Sequence, residues 1–166
     1  MITIRLSELL DLHVWPLLRR YEFVVLEDEA YKRNKLSDSA VIKFREDQPY
    51  PAFYAAMGVI VLDASDMTED RRNRLHSGRP ILGTAQFYFD LMPPERSRWY
   101  APPNEQRWSL ETADGGSTVD DLMSIVTASA IPLVERLLAG RREVSLEDHP
   151  GLRVKRVKSP FTLISS

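Results

Sequence analysis

The chain has 166 residues, 43% of them hydrophobic and 28% charged, and contains no cysteine. That is the length of one ordinary domain, enough to bury a core without a disulfide or metal staple. Twenty-two basic residues against 24 acidic ones leave a net charge of −2, which excludes a global pull toward nucleic acid or anionic membrane.

The opening stretch, Met-Ile-Thr-Ile-Arg-Leu-Ser-Glu, has no basic flank, apolar core or small-residue cleavage site, so no secretory signal is expected. The longest apolar run, residues 53–62, is far short of the ~20 residues needed to span a bilayer. The expected location is the cytoplasm.

Residues 6–21 read as a helix, because Leu6, Leu9, Leu10, Leu17 and Tyr21 recur at three- and four-residue steps. Pro16 interrupts it and should kink it, and His13 falls on the apolar stripe, where it should be buried. A short strand is expected over residues 23–26, followed by an acidic turn at Glu27-Asp28-Glu29. Over residues 40–45, Ala40, Ile42 and Phe44 alternate with Val41, Lys43 and Arg45, as in a half-buried strand. The run FYAAMGVIVL at 53–62 suits a central strand covered on both faces, with a buried helix as the alternative that periodicity alone leaves open and Val59-Ile60-Val61 disfavours.

Asp66-Met67-Thr68-Glu69 resembles a capping box that opens a short exposed helix ending near Gly78 and Pro80. Residues 83–92 read as a strand, with Ala85, Phe87, Phe89 and Leu91 on one face and Gln86, Tyr88 and Asp90 on the other. Residues 106–112 alternate likewise: Trp108 and Leu110 against Arg107, Ser109 and Glu111. After a turn at Asp114-Gly115-Gly116, Ser117 or Thr118 should cap a long helix that Pro132 bends and Gly140 ends. Residues 141–166 are richer in basic side chains and read as an arm outside the core of a domain at 1–140. Alternation over residues 152–157 makes that arm a strand for this chain's sheet or for a second copy. Strands gathered between terminal helices give an α+β class: an antiparallel sheet of four to six strands with both helices on one face.

No reaction motif is present. Gly78 to Thr84 has phosphate-loop glycine spacing but lacks its lysine and leads into a strand. His76-Ser77 has no nucleophile elbow around it, and a plain loop serine accounts for it. The histidines at 13, 76 and 149 are scattered, and helix-capping and strand-end duties account for Asp63, Asp66, Glu69 and Asp70. No cofactor and no metal are expected. The basic stretches 71–79 and 153–158 lack interleaved aromatics, so no nucleic acid is expected either.

The Pro-bounded loop around residues 95–107 differs, since Arg98, Trp99 and Tyr100 are side chains favoured at binding hot spots. With Lys43, Arg45, Tyr88 and Arg107 on the sheet face turned from the helices, they form the candidate binding surface.

The first helix leading to Tyr31-Lys-Arg33, the Gln106-Arg-Trp-Ser-Leu110 strand, the Gly-Gly turn and the Ala130-Ile-Pro-Leu-Val-Glu-Arg-Leu137 helix resemble a bacterial domain-of-unknown-function family. That resemblance covers residues 4–140 and implies a small α+β fold, without catalytic residues. The resulting expectation is a non-catalytic binding module of immunity or accessory type, with a protein partner or a second copy and no membrane. The alternative is a metal-dependent hydrolase or nuclease whose strand-borne acids, such as Asp63, Asp90 and Glu111, meet in three dimensions.

Overall fold

A computed structural model describes residues 2–101, 105–112 and 116–164. After strand β1 (Ile2–Thr3), residues 6–20 form one helical rod: α1 (Leu6–Leu9), a π turn (Leu10–Val14) and α2 (Trp15–Arg20). The hairpin β2 (Val24–Leu26) and β3 (Glu29–Arg33) turns through Glu27 and Asp28, and β4 (Ser39–Glu46) and β5 (Ala52–Ile60) follow. Then come α3 (Glu69–Ser77), a 3-10 turn (Leu82–Thr84), β6 (Phe87–Leu91), β7 (Arg98–Ala101), β8 (Glu105–Ser109) and β9 (Glu111–Thr112). A second rod comprises α4 (Ser117–Ile125), a π turn (Val126–Ala130) and α5 (Ile131–Leu138). The chain closes with β10 (Glu143–Val144), β11 (Leu152–Val157) and β12 (Thr162–Leu163).

The main sheet is antiparallel, in the order β11-β6-β5-β4-β3-β2, and β8 with β7 joins the starting end of β5. Eight strands exceed the four to six expected. The Glu27 to Glu29 stretch is only partly a turn, since Glu29 already begins β3, and β7 arises within the Pro-bounded loop. Most of the expected Asp114 to Gly116 turn lies outside the described residues. The fold is α+β, as the alternation of the sequence implied. Among the described residues no helix is long and apolar enough to cross a membrane.

One face of the sheet packs on the two rods. Phe44, Met57, Phe89 and Phe87 are fully buried there, with Trp15 meeting Phe44 edge-on at 5.5 Å and Phe53 stacking on Trp108. Burial of side chains this large contributes about 1.5–3 kcal/mol each, so this face supplies much of the driving force for folding. Both rods widen to a π turn ending just before a proline: the Trp15 N–H reaches Leu10 O and the Ile131 N–H reaches Val126 O. A proline ring collides with the carbonyl four residues back, and the wider turn relieves that collision. The extra residue shifts the helical phase. Val14 and Trp15 therefore point inward, and His13, expected to be buried, is exposed.

Four further expectations are corrected. Ala85 lies outside β6, beyond the 3-10 turn, and packs over Gly58 on the face away from the helices. Thr68, not Asp66, caps α3, its Oγ1 accepting the Arg71 N–H at 3.2 Å, and Thr118 donates to Ser109 O instead of capping α4. Residues 141–164 are built into the core. β11 pairs with β6 of its own sheet, and Val144 and Phe161 are buried, the latter against Phe87. The residue reaching that edge is Gly151, whose φ of +86° and close approach to Ile125 suit glycine alone.

Candidate binding groove

The second face of the sheet is covered over only half its height. Residues 62–86 fold across the far end of β4 and β5, burying Ala64, Met67, Leu75 and Leu82. This cover is fastened from both edges. Arg156 on β11 donates to Ala85 O at 3.0 Å and to Gly83 O at 2.7 Å, and Arg79 pairs with Glu29 of β3 at 2.7 Å. Gly58 lets the cover settle directly on β5, with Ala85 and Leu82 occupying the place a side chain would take. Two residues earlier on the same face stands Ala56, buried among the longer side chains that line the same groove. Its short side chain is the floor of a groove of about 1150 Å³.

Strand register orders the groove into rows, because paired residues share a face. One row crosses the sheet as Glu29, Lys43, Ala56, Asp90 and Arg153. The row below holds Arg45 beside Tyr54, with Arg107 lying over the Tyr54 ring at 4.3 Å and Trp99 opposite Arg107. Six cations line the groove (Lys43, Arg45, Arg79, Arg107, Arg153 and Lys155) against the carboxylates Glu29, Asp47 and Asp90. In a chain whose acids outnumber its bases, this is a locally positive surface.

The carboxylates are all engaged. Glu29 is shared by Arg79 at 2.7 Å and Lys43 at 3.6 Å, and Asp90 by Arg153 at 2.9 Å and Lys155 at 3.8 Å. Asp47 holds Arg107, whose side chain is 7% exposed. Arg45 is exposed and has no ion pair among the described residues. Within the groove lining three positive charges are thus left over, one each at the Glu29 and Asp90 clusters and Arg45, and beside the groove Glu27 and Asp28 also act on Arg79 and offset the one at Glu29. Burial, followed by the nearby Asp90 charge, pushes the Tyr88 hydroxyl above its ordinary pKa, so it stays a neutral donor in the groove wall.

Of the side chains proposed from sequence, Lys43, Arg45, Tyr88 and Arg107 meet in this groove, and Trp99 is placed opposite Arg107 with its ring 6.4 Å from Tyr50. Arg98 does not join them. It pairs in register with Trp108, hence on the helix-side face, and donates to Pro93 O at 3.1 Å. The side chain of Tyr100 lies outside the described residues. Gln86 and Ser109, expected on the wet face, are buried: Gln86 Oε1 accepts from the Val61 N–H, and Ser109 Oγ bonds to Glu111. Sequence reasoning missed Glu29, Asp47, Tyr54 and Ala56, and assigned Arg79, Arg153 and Lys155 to solvated basic stretches. Tyr54, Ala56 and Gly58 do alternate through the apolar run, a signal that one face of this strand is small and partly polar.

The acids proposed for a metal reaction are spread apart. Asp63 pairs with Arg142 at 3.3 Å, Asp90 belongs to the groove, and Glu111 lies on β9 paired with β1. Among the described residues no three His, Cys, Asp or Glu side chains are grouped to hold a metal ion. Ser77 Oγ donates to Asn73 O of its own helix rather than facing His76. No family model, curated protein or solved structure matches this chain.

Proposed function

We propose that this protein is a non-catalytic binding module, and that the groove on the open half of its sheet is where a protein partner docks. The observation carrying this reading is the groove over Ala56, walled by cations in excess within a net acidic chain. The groove exceeds the usual 300–1,000 Å³ of a small-ligand pocket and suits a segment of a macromolecule. Its charged side chains hold one another in ion pairs, the arrangement of a recognition surface. A module of this kind acts by occupancy, as immunity and accessory proteins do, with the bacterial cytoplasm as its setting.

The experiment is affinity capture from the native cells, using the wild type beside Ala56→Trp and Arg45→Glu. Arg45→Glu reverses an exposed cation and should leave the melting temperature within a few degrees, while Ala56→Trp fills the groove from a buried position, so its melting temperature is measured beside its capture to separate lost binding from lost folding. The expected result is one protein retained by the wild type and lost with both variants. Capture that is the same for all three chains overturns the groove as the working surface.

A further inference from the structure

We propose that the element recognised by the groove is an acidic polypeptide segment of about six residues, lying extended across the strands; this rests on the groove being the docking surface. The row from Glu29 on β3 to Arg153 on β11 crosses four strand-to-strand steps. At about 4.8 Å per step that is roughly 19 Å, the reach of some six extended residues at about 3.3 Å each. Surplus positive charge stands at the β11 end of this row, where Arg153 and Lys155 share Asp90, and Arg45 adds one in the row below, whereas at the β3 end Glu27 and Asp28 join Glu29 around Arg79. Acidic side chains reaching the Arg153–Lys155 end and Arg45 match these positions.

The same row separates a polypeptide from a nucleic acid. Glu29 and Asp90 lie beside the cations, and an occupant that passes them is favoured if it offers hydrogen-bond donors to their remaining lone pairs. A peptide backbone offers an N–H at nearly every residue, whereas a nucleic acid carries its charge on the backbone and its donors on the bases and ribose, away from that backbone. Single-strand binders also stack bases on open aromatic faces. Here Arg107 covers Tyr54, Arg156 lies over Tyr88 at 5.4 Å, and Tyr50 lies against Trp99. Small anions are a poor match as well, because the positive charge is distributed along the groove and not gathered at one point.

The test is fluorescence anisotropy with fluorescein-labelled hexaglutamate, hexaglutamine and a single-stranded oligothymidylate as probes. Hexaglutamate should bind the wild type, and binding should weaken about tenfold with Arg45→Glu or Ala56→Trp and fade in about 0.5 M salt. Hexaglutamine and oligothymidylate should stay free. Binding of oligothymidylate but not hexaglutamate, lost with the same variants, overturns the acidic-peptide assignment and leaves the groove as the docking surface. Hexaglutamate that binds all three chains equally overturns the assignment and counts against the groove too. Failure of every probe, with cellular capture still dependent on Ala56, overturns the acidic segment alone.

Discussion

Glu29 and Asp90 stand in one row across the sheet, separated by Lys43 and Ala56, and each carboxylate is gripped by two cations. The Asp90 end keeps a surplus cation, while at the Glu29 end Glu27 and Asp28 offset it through Arg79. Asp90→Asn removes one acceptor and releases Arg153 and Lys155. Hexaglutamate should then bind more tightly and with a steeper salt dependence, measured by anisotropy. The lost pairs are partly exposed, so the effect on stability should be no more than about 1 kcal/mol.

Gly58 is where the cover touches the sheet. A Cβ there would meet Ala85 Cβ at 2.7 Å, Leu82 Cδ1 at 2.8 Å and Phe87 O at 2.9 Å. Two of these are backbone or a one-carbon side chain and have nowhere to retreat. Gly58→Ala should therefore cost about 1–3 kcal/mol as overpacking, read as a lower urea midpoint. An unchanged midpoint would mean that the cover is not seated on β5.

The C-terminal segment should be indispensable. Phe161 is buried against Phe87 at 5.7 Å, Ser129 Oγ donates to Pro150 O at 2.6 Å, and β11 covers the edge of β6. A chain ending at Gly140 should fail to give a cooperative melt. In the full chain, Phe161→Ala should cost about 3–5 kcal/mol, measured by denaturant unfolding. A truncated chain with a wild-type melt would return these residues to the status of an arm.

His149 makes stability depend on pH. Burial, then the Arg136 guanidinium with Nη1 3.3 Å from its Nε2, disfavours the imidazolium and holds the folded pKa below the ordinary value of about 6.5. The Ser129 backbone and the Asp148 charge pull the other way and are outweighed. Between the depressed folded pKa and about 6.5, the unfolded chain binds more protons than the folded one, so stability falls as pH is lowered. Its contribution is complete above about 6.5 and is lost as pH falls through the folded value. Urea midpoints taken from about pH 7 down to about pH 5 should decline in the wild type, and less in His149→Gln. Parallel curves would remove His149 as the cause.

Periodicity determined the α+β class, the inward faces of β4 and β6, and the presence of Lys43, Arg45, Tyr88 and Arg107 on the other side, and the β-branched Val59-Ile60-Val61 identified the central strand, which runs over Ala52–Ile60. These are consequences of the two-residue repeat of a strand, a local property that any stretch of chain carries with it. The prolines marked where each helix departs from regularity, but not how. A π turn adds a residue and turns His13 outward, an outcome that depends on which neighbours the helix must bury. Groove formation belongs to the tertiary structure alone. Glu29, Lys43, Ala56, Asp90 and Arg153 come from five strands, and only the pairing order aligns them. That order is set by long-range burial, which draws β11 to the edge through Phe161 and seats Ala85 on Gly58. A charge's own strand dictates the face it takes; the strands beside it dictate what it faces.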